Sequence, residues 1–213
     1  MSGARWPTSS ASSEPIRYLA LGDSYTIGTG ASSPARSWPA IVGHRLTEHT
    51  GREVEVSNPA VNGFTTLDLI THELPYIQRL KPDLVTILIG VNDLVRGRGV
   101  SDYRGSLAAI YDEVAGLQLP PGRTLAASIP NWSLVPAARQ YGDPEQIREL
   151  TDSFNDAARE EAETRAFSWV DITAASISGL GSAGWISTDD LHPGDNQYAA
   201  WAEVIWHSVL PAW

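Results

Sequence analysis

The sequence predicts an α/β fold: a parallel five-stranded sheet with helices on both faces. Three observations predict it: the length, the composition, and the alternation of short apolar runs with longer stretches of helical spacing. A chain of 213 residues can bury a sizeable core. Its 42% hydrophobic and 19% charged residues are typical of a folded globular protein. Alternating strands and helices favour a parallel sheet, because each crossover helix packs back onto it.

Five short apolar runs are predicted to form the strands of this sheet. Each is rich in apolar or β-branched residues and stops at or near Gly, Pro, Asn or Asp, as a buried strand does before a turn. The predicted strands are residues 16–22, 54–57, 84–90, 124–129 and 168–172.

The stretches between these runs have the spacing of amphipathic helices. Asp143-Pro144 is a clear helix start, since proline is favoured at the first helical position. The predicted helices are residues 38–50, 66–80, 103–117, 144–165 and 196–210.

The first 15 residues, MSGARWPTSSASSEP, are rich in Ser, Ala and Pro and are predicted to be a flexible leader. Residues 16–213 then form one domain. The leader lacks the apolar segment of a signal peptide, and no apolar run approaches the roughly 18 residues that cross a bilayer. We therefore expect a cytoplasmic protein without membrane insertion, or a secreted one if a signal peptide has been removed.

Charge and cysteine content exclude several classes of partner and cofactor. The net charge of −10 predicts no binding to nucleic acid or to anionic membranes. The absence of cysteine excludes a thiolate nucleophile, a disulfide framework and a thiolate metal site. The five histidines lack the i, i+4 spacing of a helical zinc site, so we expect no metal and no cofactor. The oligomeric state is left open.

Polar residues follow the predicted strands at their carboxyl ends, where ligands bind in open α/β sheets. The first strand ends in Gly22-Asp23-Ser24, and Asn92 follows the third strand. A serine hydroxyl is a weak nucleophile that needs a neighbouring base, usually histidine. Ser24 is therefore a candidate nucleophile, provided that a histidine can reach it.

One histidine stands apart from the others. His44, His49, His72 and His207 lie in predicted helices, where we expect surface or structural roles. His192 lies in a loop, three residues after Asp189. Such a turn can bring the carboxylate to Nδ1–H and leave Nε2 to accept the proton of Ser24. Alone, an Asp-x-x-His sequence is more often an ordinary turn.

Acyl transfer also needs hydrogen-bond donors for the oxyanion that develops on the attacked carbonyl. The backbone N–H of Ser24 and the side-chain amide of Asn92 are two candidates. The backbone of Gly63 is a third, because no side chain blocks its approach. The alternatives are a helix cap for Asn92 and a turn glycine for Gly63.

Taken together, four blocks resemble the SGNH hydrolases, also called GDSL-type esterases or lipases. The blocks are GDS at 22–24, NPAVNG at 58–63, GVND at 90–93 and DDLHP at 189–193, in the order of the family. The sequence departs from the pattern at Tyr25, where the family has leucine, and Asp190 stands beside the expected acid.

The resemblance implies a flavodoxin-like, three-layer α/β/α fold and a small-molecule ester as substrate. It makes Ser24 the nucleophile, His192 the general base and Asp189 its partner. It also assigns the oxyanion hole to Ser24, Gly63 and Asn92.

Two further features lie near the predicted site. Trp38, Trp132 and Trp185 could line an acyl or sugar pocket, although core packing is the favoured interpretation for each. The segment Arg96-Gly97-Arg98-Gly99 is either a mobile flap or an exposed loop.

Two classes of function remain. One is a serine hydrolase of carboxylic esters, of which an acyltransferase is a variant. The other is a non-catalytic module that binds carbohydrate or another ligand on the same scaffold. The presence of serine, histidine, aspartate and asparagine together favours the hydrolase.

Overall fold

A five-stranded parallel sheet forms the centre of the protein. The computed structural model describes residues 14–213, so almost all of the predicted leader, residues 1–15, lies outside the described residues. The strands are β1 (Ile16–Gly22), β2 (Val54–Ser57), β3 (Leu84–Leu88), β4 (Thr124–Ala127) and β5 (Ser168–Val170). Their order in the sheet is β2-β1-β3-β4-β5, with every pair parallel. The predicted α/β fold is confirmed.

Helices cover the sheet and pack in two groups. The helices are α1 (Ser24–Ile27), α2 (Trp38–Thr50), α3 (Thr66–His72), α4 (Pro75–Leu80), α5 (Val91–Val95), α6 (Val100–Ala115), α7 (Pro144–Thr164), α8 (Thr173–Ile177) and α9 (Asp195–Val209). Helix α2 packs against α9, and α6 packs against α7 and α3. Every residue of β3 is buried. Because successive side chains of a strand point to opposite faces, both faces of the sheet are covered at its centre.

Three strands end two residues earlier than predicted. Strand β3 stops at Leu88 instead of residue 90, β4 at Ala127 instead of 129, and β5 at Val170 instead of 172. The last pair in register between β1 and β3 is Gly22 with Leu88. The apolar residues beyond these ends are buried by loops and not by strand pairing, which an apolar run alone does not distinguish.

The single helix predicted over residues 66–80 is wrong. The chain forms two short helices there, because Pro75 lacks a backbone N–H and begins the second one. Glu73 directly follows the first helix and is fully buried. Its Oε2 accepts a hydrogen bond of 2.9 Å from the backbone N of Gly22. The break therefore places a carboxyl group against the end of β1.

The remaining long helices lie close to their predicted positions. Helix α2 matches residue for residue, and α7 and α9 match within one residue at each end. Helix α6 begins at Val100, three residues earlier than predicted. Within residues 14–213, the protein has no helix long and apolar enough to cross a membrane.

Candidate active site

The turn that carries Ser24 lies at the carboxyl end of β1, in the middle of the sheet. Gly22 has φ +157, and a Cβ on it would lie 2.2 Å from the carbonyl oxygen of Leu88. Only glycine therefore allows this turn to lie so close to β3. Asp23 caps α1, since its Oδ1 accepts from the N–H of Tyr25 at 3.0 Å. Ser24 is the first residue of that helix and is 6% exposed.

The loop that carries His192 is held by the carboxylate of Asp189. Nδ1 of His192 lies 2.6 Å from Oδ2 of Asp189. Oδ1 accepts from the backbone N–H groups of His192 and Leu191, at 2.8 and 2.9 Å, and from the hydroxyl of Ser187 at 2.6 Å. Asp190 instead points its backbone carbonyl at the N–H of Ala137, at 3.0 Å. Of the two neighbouring acids, Asp189 is the one that contacts His192.

These contacts decide the charge of Asp189. Burial alone would raise the pKa of this carboxyl. The hydrogen bonds from Ser187, His192 and Leu191 outweigh that effect and hold the pKa well below its usual range. Asp189 is therefore a carboxylate at neutral pH, able to orient and stabilise a protonated imidazole.

Asn92 lies at the second position of α5, just beyond the end of β3. The residue that precedes this helix is Gly90, and no side chain caps it. The helix-cap interpretation of Asn92 is therefore wrong. Nδ2 of Asn92 donates to the carbonyl of Phe64 at 2.9 Å and lies 3.4 Å from Oδ2 of Asp23. The amide is thus held with its donor group beside the Ser24 turn.

Gly63 lies in the loop beside Asn92. It has φ +82, in the region that favours glycine, and its carbonyl accepts from Nη2 of Arg96 at 2.8 Å. The preceding residue, Asn62, contacts the hydroxyl of Thr29. The loop therefore lies between the nucleophile turn and α5. Gly63 is not among the residues that line the cavity, and its role as a donor stays a prediction.

Three of the predicted site residues line one cavity. Ser24, Asn92 and His192 surround a space of about 50 Å³. The rest of its wall is apolar or aromatic and consists of Tyr25, Val91, Val95, Trp132, Tyr141 and Leu191. The carboxyl ends of β1 and β3 thus meet the C-terminal loop, as expected for an open parallel sheet.

Only one of the three tryptophans lies in this wall. Trp132 lines the cavity and is 3% exposed. Trp38 is fully buried and donates from Nε1 to the carbonyl of Tyr25 at 3.0 Å, so it supports the backbone next to Ser24. Trp185 donates to the carbonyl of Ser176 at 3.0 Å and packs against Gly179.

The segment 96–99 is an exposed loop, as one of its two interpretations expected, and it is anchored through Arg98. Nη1 of Arg98 forms an ion pair of 2.8 Å with Oδ1 of the fully buried Asp93. Nη2 of Arg98 donates to the hydroxyl of Ser106 at 2.8 Å. Asp93 also accepts from the backbone N of Thr66 at 2.9 Å. The arginine therefore ties α5 to α3 and α6 directly behind Asn92.

A second tie joins the Ser24 turn to the His192 loop. The backbone N and the hydroxyl of Ser32 donate to the two carboxylate oxygens of Asp195, at 2.8 and 2.6 Å. A Cβ on Gly30 would lie 2.5 Å from the carbonyl oxygen of Pro193. The segment that follows the nucleophile thus rests on the loop that presents the histidine. Sequence patterns gave no signal for this contact, since its two sides are 163 residues apart.

Two buried acids beneath the site lack a cationic partner among residues 14–213. Burial raises the pKa of Asp23 to about 7, although its hydrogen bonds from Tyr25 and Asn92 oppose the shift. Burial likewise raises the pKa of Glu73 to about 8. Oε1 of Glu73 has no hydrogen-bond partner within the described part of the chain. In the same residues, no group of three or more acids or histidines is arranged to bind a metal.

In this parallel α/β sheet, a serine, an amide and the histidine of an Asp–His pair line one cavity at the carboxyl edge, an arrangement typical of a hydrolytic enzyme. The chain belongs to the GDSL-like lipase/acylhydrolase family, whose model matches residues 20–200. The predicted family and enzyme class, an ester hydrolase of the GDSL type, are thereby confirmed.

Individual relatives agree with this assignment. An arylesterase of Vibrio mimicus is 37% identical over 90 residues, which cover 42% of this chain and 44% of that protein. The match thus spans less than half of the arylesterase. The esterase TesA of Pseudomonas aeruginosa is 23% identical over 203 residues, covering 91% of this chain and 87% of that protein.

Solved structures share the fold. A crystal structure of TesA superposes with a TM-score of 0.74 at 21% identity, covering 92% of this chain and 99% of that one. A lipase/acylhydrolase from Enterococcus faecalis gives a TM-score of 0.73 at 23% identity, covering 92% and 96%. At this identity the likeness establishes the three-layer architecture and nothing about the substrate.

Proposed function

We propose that this protein hydrolyses carboxylic esters of small molecules through an acyl-enzyme on Ser24. One observation carries the proposal: Ser24, Asn92 and His192 line the same cavity, and Nδ1 of His192 lies 2.6 Å from a carboxylate oxygen of Asp189. A module that only binds a ligand does not require an ionised aspartate hydrogen-bonded to a histidine in the same cavity as a buried serine.

Each residue has one role in the reaction. The carboxylate of Asp189 holds the proton of His192 on Nδ1, which leaves Nε2 free to accept the proton of Ser24. Oγ of Ser24 then attacks the ester carbonyl, and the imidazolium returns the proton to the leaving alcohol. Water repeats the sequence on the acyl-enzyme, releases the acid and restores the free serine.

The oxyanion is stabilised by donors at the Ser24 turn. We assign them to the backbone N–H groups of Ser24 and Gly63 and to Nδ2 of Asn92. The contact of Asn92 with Asp23, at 3.4 Å, is longer than its 2.9 Å bond to Phe64. We therefore assign the N–H on the Asp23 side, which has the weaker contact, to the oxyanion. Because burial raises the pKa of Asp23 to about 7, this neighbour adds little negative charge in slightly acidic solution.

Three of the other histidines are poorly placed to act as the base. His44 and His207 lie on exposed helix faces, next to Glu48 and Glu203. His49 packs edge-on against Trp206, with ring centroids 5.9 Å apart. These contacts favour His192 as the general base.

A fluorophosphonate probe tests the proposal, because it reacts covalently with an activated serine. We expect one label, located by mass spectrometry on Ser24, and hydrolysis of p-nitrophenyl acetate by the same preparation. Ser24→Ala is expected to lose both while keeping its circular dichroism spectrum. Ser153→Ala, on the exposed face of α7, is the matched control and keeps both.

Undiminished labelling of Ser24→Ala would contradict the assignment of the nucleophile. A protein that binds an ester without labelling or turnover would instead be the non-catalytic module.

A further inference from the structure

The cavity beside Ser24 is small. Its volume is about 50 Å³. Since a water-sized group needs roughly 10–15 Å³, the space holds about four such groups. An acyl group of two to four carbons fills it.

Two aromatic rings form part of the wall of this cavity. The rings of Trp132 and Tyr141 meet edge-on, with centroids 5.5 Å apart and an interplanar angle of 80°. Trp132 is buried, whereas Tyr141 is 50% exposed. Behind Trp132, between it and Trp201, the remaining space is only about 10 Å³. A longer chain therefore finds no room behind the tryptophan, and Tyr141 is the second aromatic residue that it meets in the wall.

The segment that carries Tyr141 is fixed to the rest of the site. Its backbone N–H donates to the carbonyl of Ala138 at 2.8 Å, at the end of the short 3-10 helix Pro136–Gln140. The N–H of Ala137 in turn donates to the carbonyl of Asp190, at 3.0 Å, in the His192 loop. The backbone of this segment is thus fixed, and the Tyr141 ring lines the same cavity as Val91 and Val95.

In the proposed reaction this cavity receives the acyl group of the substrate. The leaving alcohol must lie beside His192, because that residue protonates it. Val91 and Val95 belong to α5, the helix of Asn92, and line the cavity on the oxyanion side. These apolar side chains are therefore placed to contact the acyl chain.

We propose that the enzyme acts on esters of short acyl groups, with two to four carbons, and that Tyr141 is the residue that sets this limit. The inference rests on the proposed function, since it specifies the substrate of the same Ser24 site. It assigns a role to a residue that no sequence motif indicated.

The test measures kcat/KM for the p-nitrophenyl esters of acetate, butyrate, octanoate and dodecanoate, each below its micellar concentration. For the wild type we expect the highest value on acetate or butyrate and a value at least tenfold lower on octanoate. In Tyr141→Ala the octanoate-to-acetate ratio should rise at least tenfold. Tyr141→Phe, which keeps the ring, should keep the wild-type ratio.

Tyr76→Ala is the matched control, since this ring lies on α4 beside Arg79 and outside the cavity. It should leave the ratio and the activity unchanged. A second series, acetate esters of alcohols of rising length, separates the two sides of the substrate. Tyr141→Ala should not change the chain-length dependence of this series.

Three outcomes would overturn the inference: a wild-type preference for octanoate or longer, an unchanged ratio in Tyr141→Ala, or an effect confined to the alcohol series. Each of them leaves fluorophosphonate labelling and acetate hydrolysis at Ser24 intact. If labelling and hydrolysis are themselves absent, the proposed function fails instead.

Discussion

The two halves of the site are built in opposite ways. The half that carries Ser24 and Asn92 lies at the ends of central strands, and its acids Asp23 and Asp93 are fully buried. The half that carries His192 lies on a loop, where the side chain of Asp189 is 44% exposed. The first is held mainly by packing and the second by hydrogen bonds to a single carboxylate.

This difference separates the pKa values of Asp23 and Asp189. Burial raises the pKa of Asp23 to about 7, whereas hydrogen bonds from Ser187, His192 and Leu191 hold the pKa of the less buried Asp189 below its usual range. The acid that must stabilise an imidazolium thus lies where water and N–H donors keep it ionised. In the proposed mechanism the oxyanion develops in the other half, beside the amide of Asn92 and the backbone N–H of Ser24.

The buried half also contains an acid whose negative charge is compensated by a neighbouring arginine. Asp93 is as buried as Asp23, but Arg98 lies 2.8 Å from it and Thr66 donates to both of its oxygens. Asp93 therefore fixes α5, and Asn92 with it, without leaving an uncompensated charge. Asp23 and Glu73 have no such cation among residues 14–213, and they make this half sensitive to pH.

The largest effect is expected from removing the charge of the exposed half. Asp189→Asn should lower kcat by roughly 10³–10⁴, with KM little changed, because the amide can donate to Nδ1 and stabilise the wrong tautomer of His192. Steady-state kinetics on p-nitrophenyl acetate measure this. Asp190→Asn is the matched control, since that side chain makes no hydrogen bond to His192. If both variants keep more than a tenth of the wild-type kcat, the Asp189–His192 pair is structural.

Removing a donor from the buried half should have the next largest effect. Asn92→Ala should lower kcat on the order of 10²–10³, about 3–4 kcal/mol, because the donor acts mainly in the transition state. Asn92→Asp is a poorer test, since it would set a second carboxylate 3.4 Å from Asp23. The control is Asn155→Ala. In the wild type, the side-chain amide of Asn155 accepts from the N–H of Ile129 and donates to its carbonyl, outside the cavity.

Asn155→Ala should cost about 1–3 kcal/mol of stability and leave the turnover of the folded protein unchanged. If Asn92→Ala behaves in the same way, losing stability but not kcat, its amide is a structural group and the oxyanion is bound by backbone N–H groups alone.

The third effect concerns stability and pH. Burial raises the pKa of Glu73 from an ordinary 4.5 to about 8. The unfolded chain therefore loses this proton at lower pH than the folded protein, and stability falls as pH rises between about 4.5 and 8. Glu73→Gln removes this pH-dependent loss of stability, and its side-chain oxygen can still accept from the N–H of Gly22.

Urea unfolding at pH 5 and pH 8 measures the difference. Relative to the wild type, Glu73→Gln should gain roughly 3–4 kcal/mol of stability between pH 5 and pH 8. Glu149→Gln, on the exposed face of α7, should follow the wild type at both values. Parallel pH profiles for all three proteins would show that Glu73 carries no such shift.

The sequence predicted the sheet and the three polar residues that line the cavity, because both depend on local patterns. Apolar runs mark strands, and Ser24, Asn92 and His192 follow strands or lie in a late loop. The break at Pro75 and the true end of β3 depend on tertiary packing, which the apolar pattern of residues 66–80 and 84–90 does not contain. Tyr141 lies in an irregular segment without periodicity, so only the fold brings it beside Ser24.

The smallest effect is expected at the contact that joins the two halves. Asp195 accepts from the backbone N and the hydroxyl of Ser32, and it follows His192 by three residues. Asp195→Asn weakens this contact and loosens the loop that presents the base, so kcat should fall by roughly threefold to tenfold, since small displacements of a catalytic group are costly. Ser32→Ala should have a similar effect, and the double variant should not add to it.

Asp83→Asn is the matched control, because Asp83 likewise accepts from a backbone N–H and a side chain of one residue, Arg17. That pair lies at the opposite end of β1, away from the cavity. Both aspartate variants should lose about 1 kcal/mol of stability or less. Measured well below the unfolding temperature, only Asp195→Asn should lose activity, because only this contact sets the position of His192 relative to Ser24. Equal kcat values in the two variants would mean that the halves are aligned by the buried core alone.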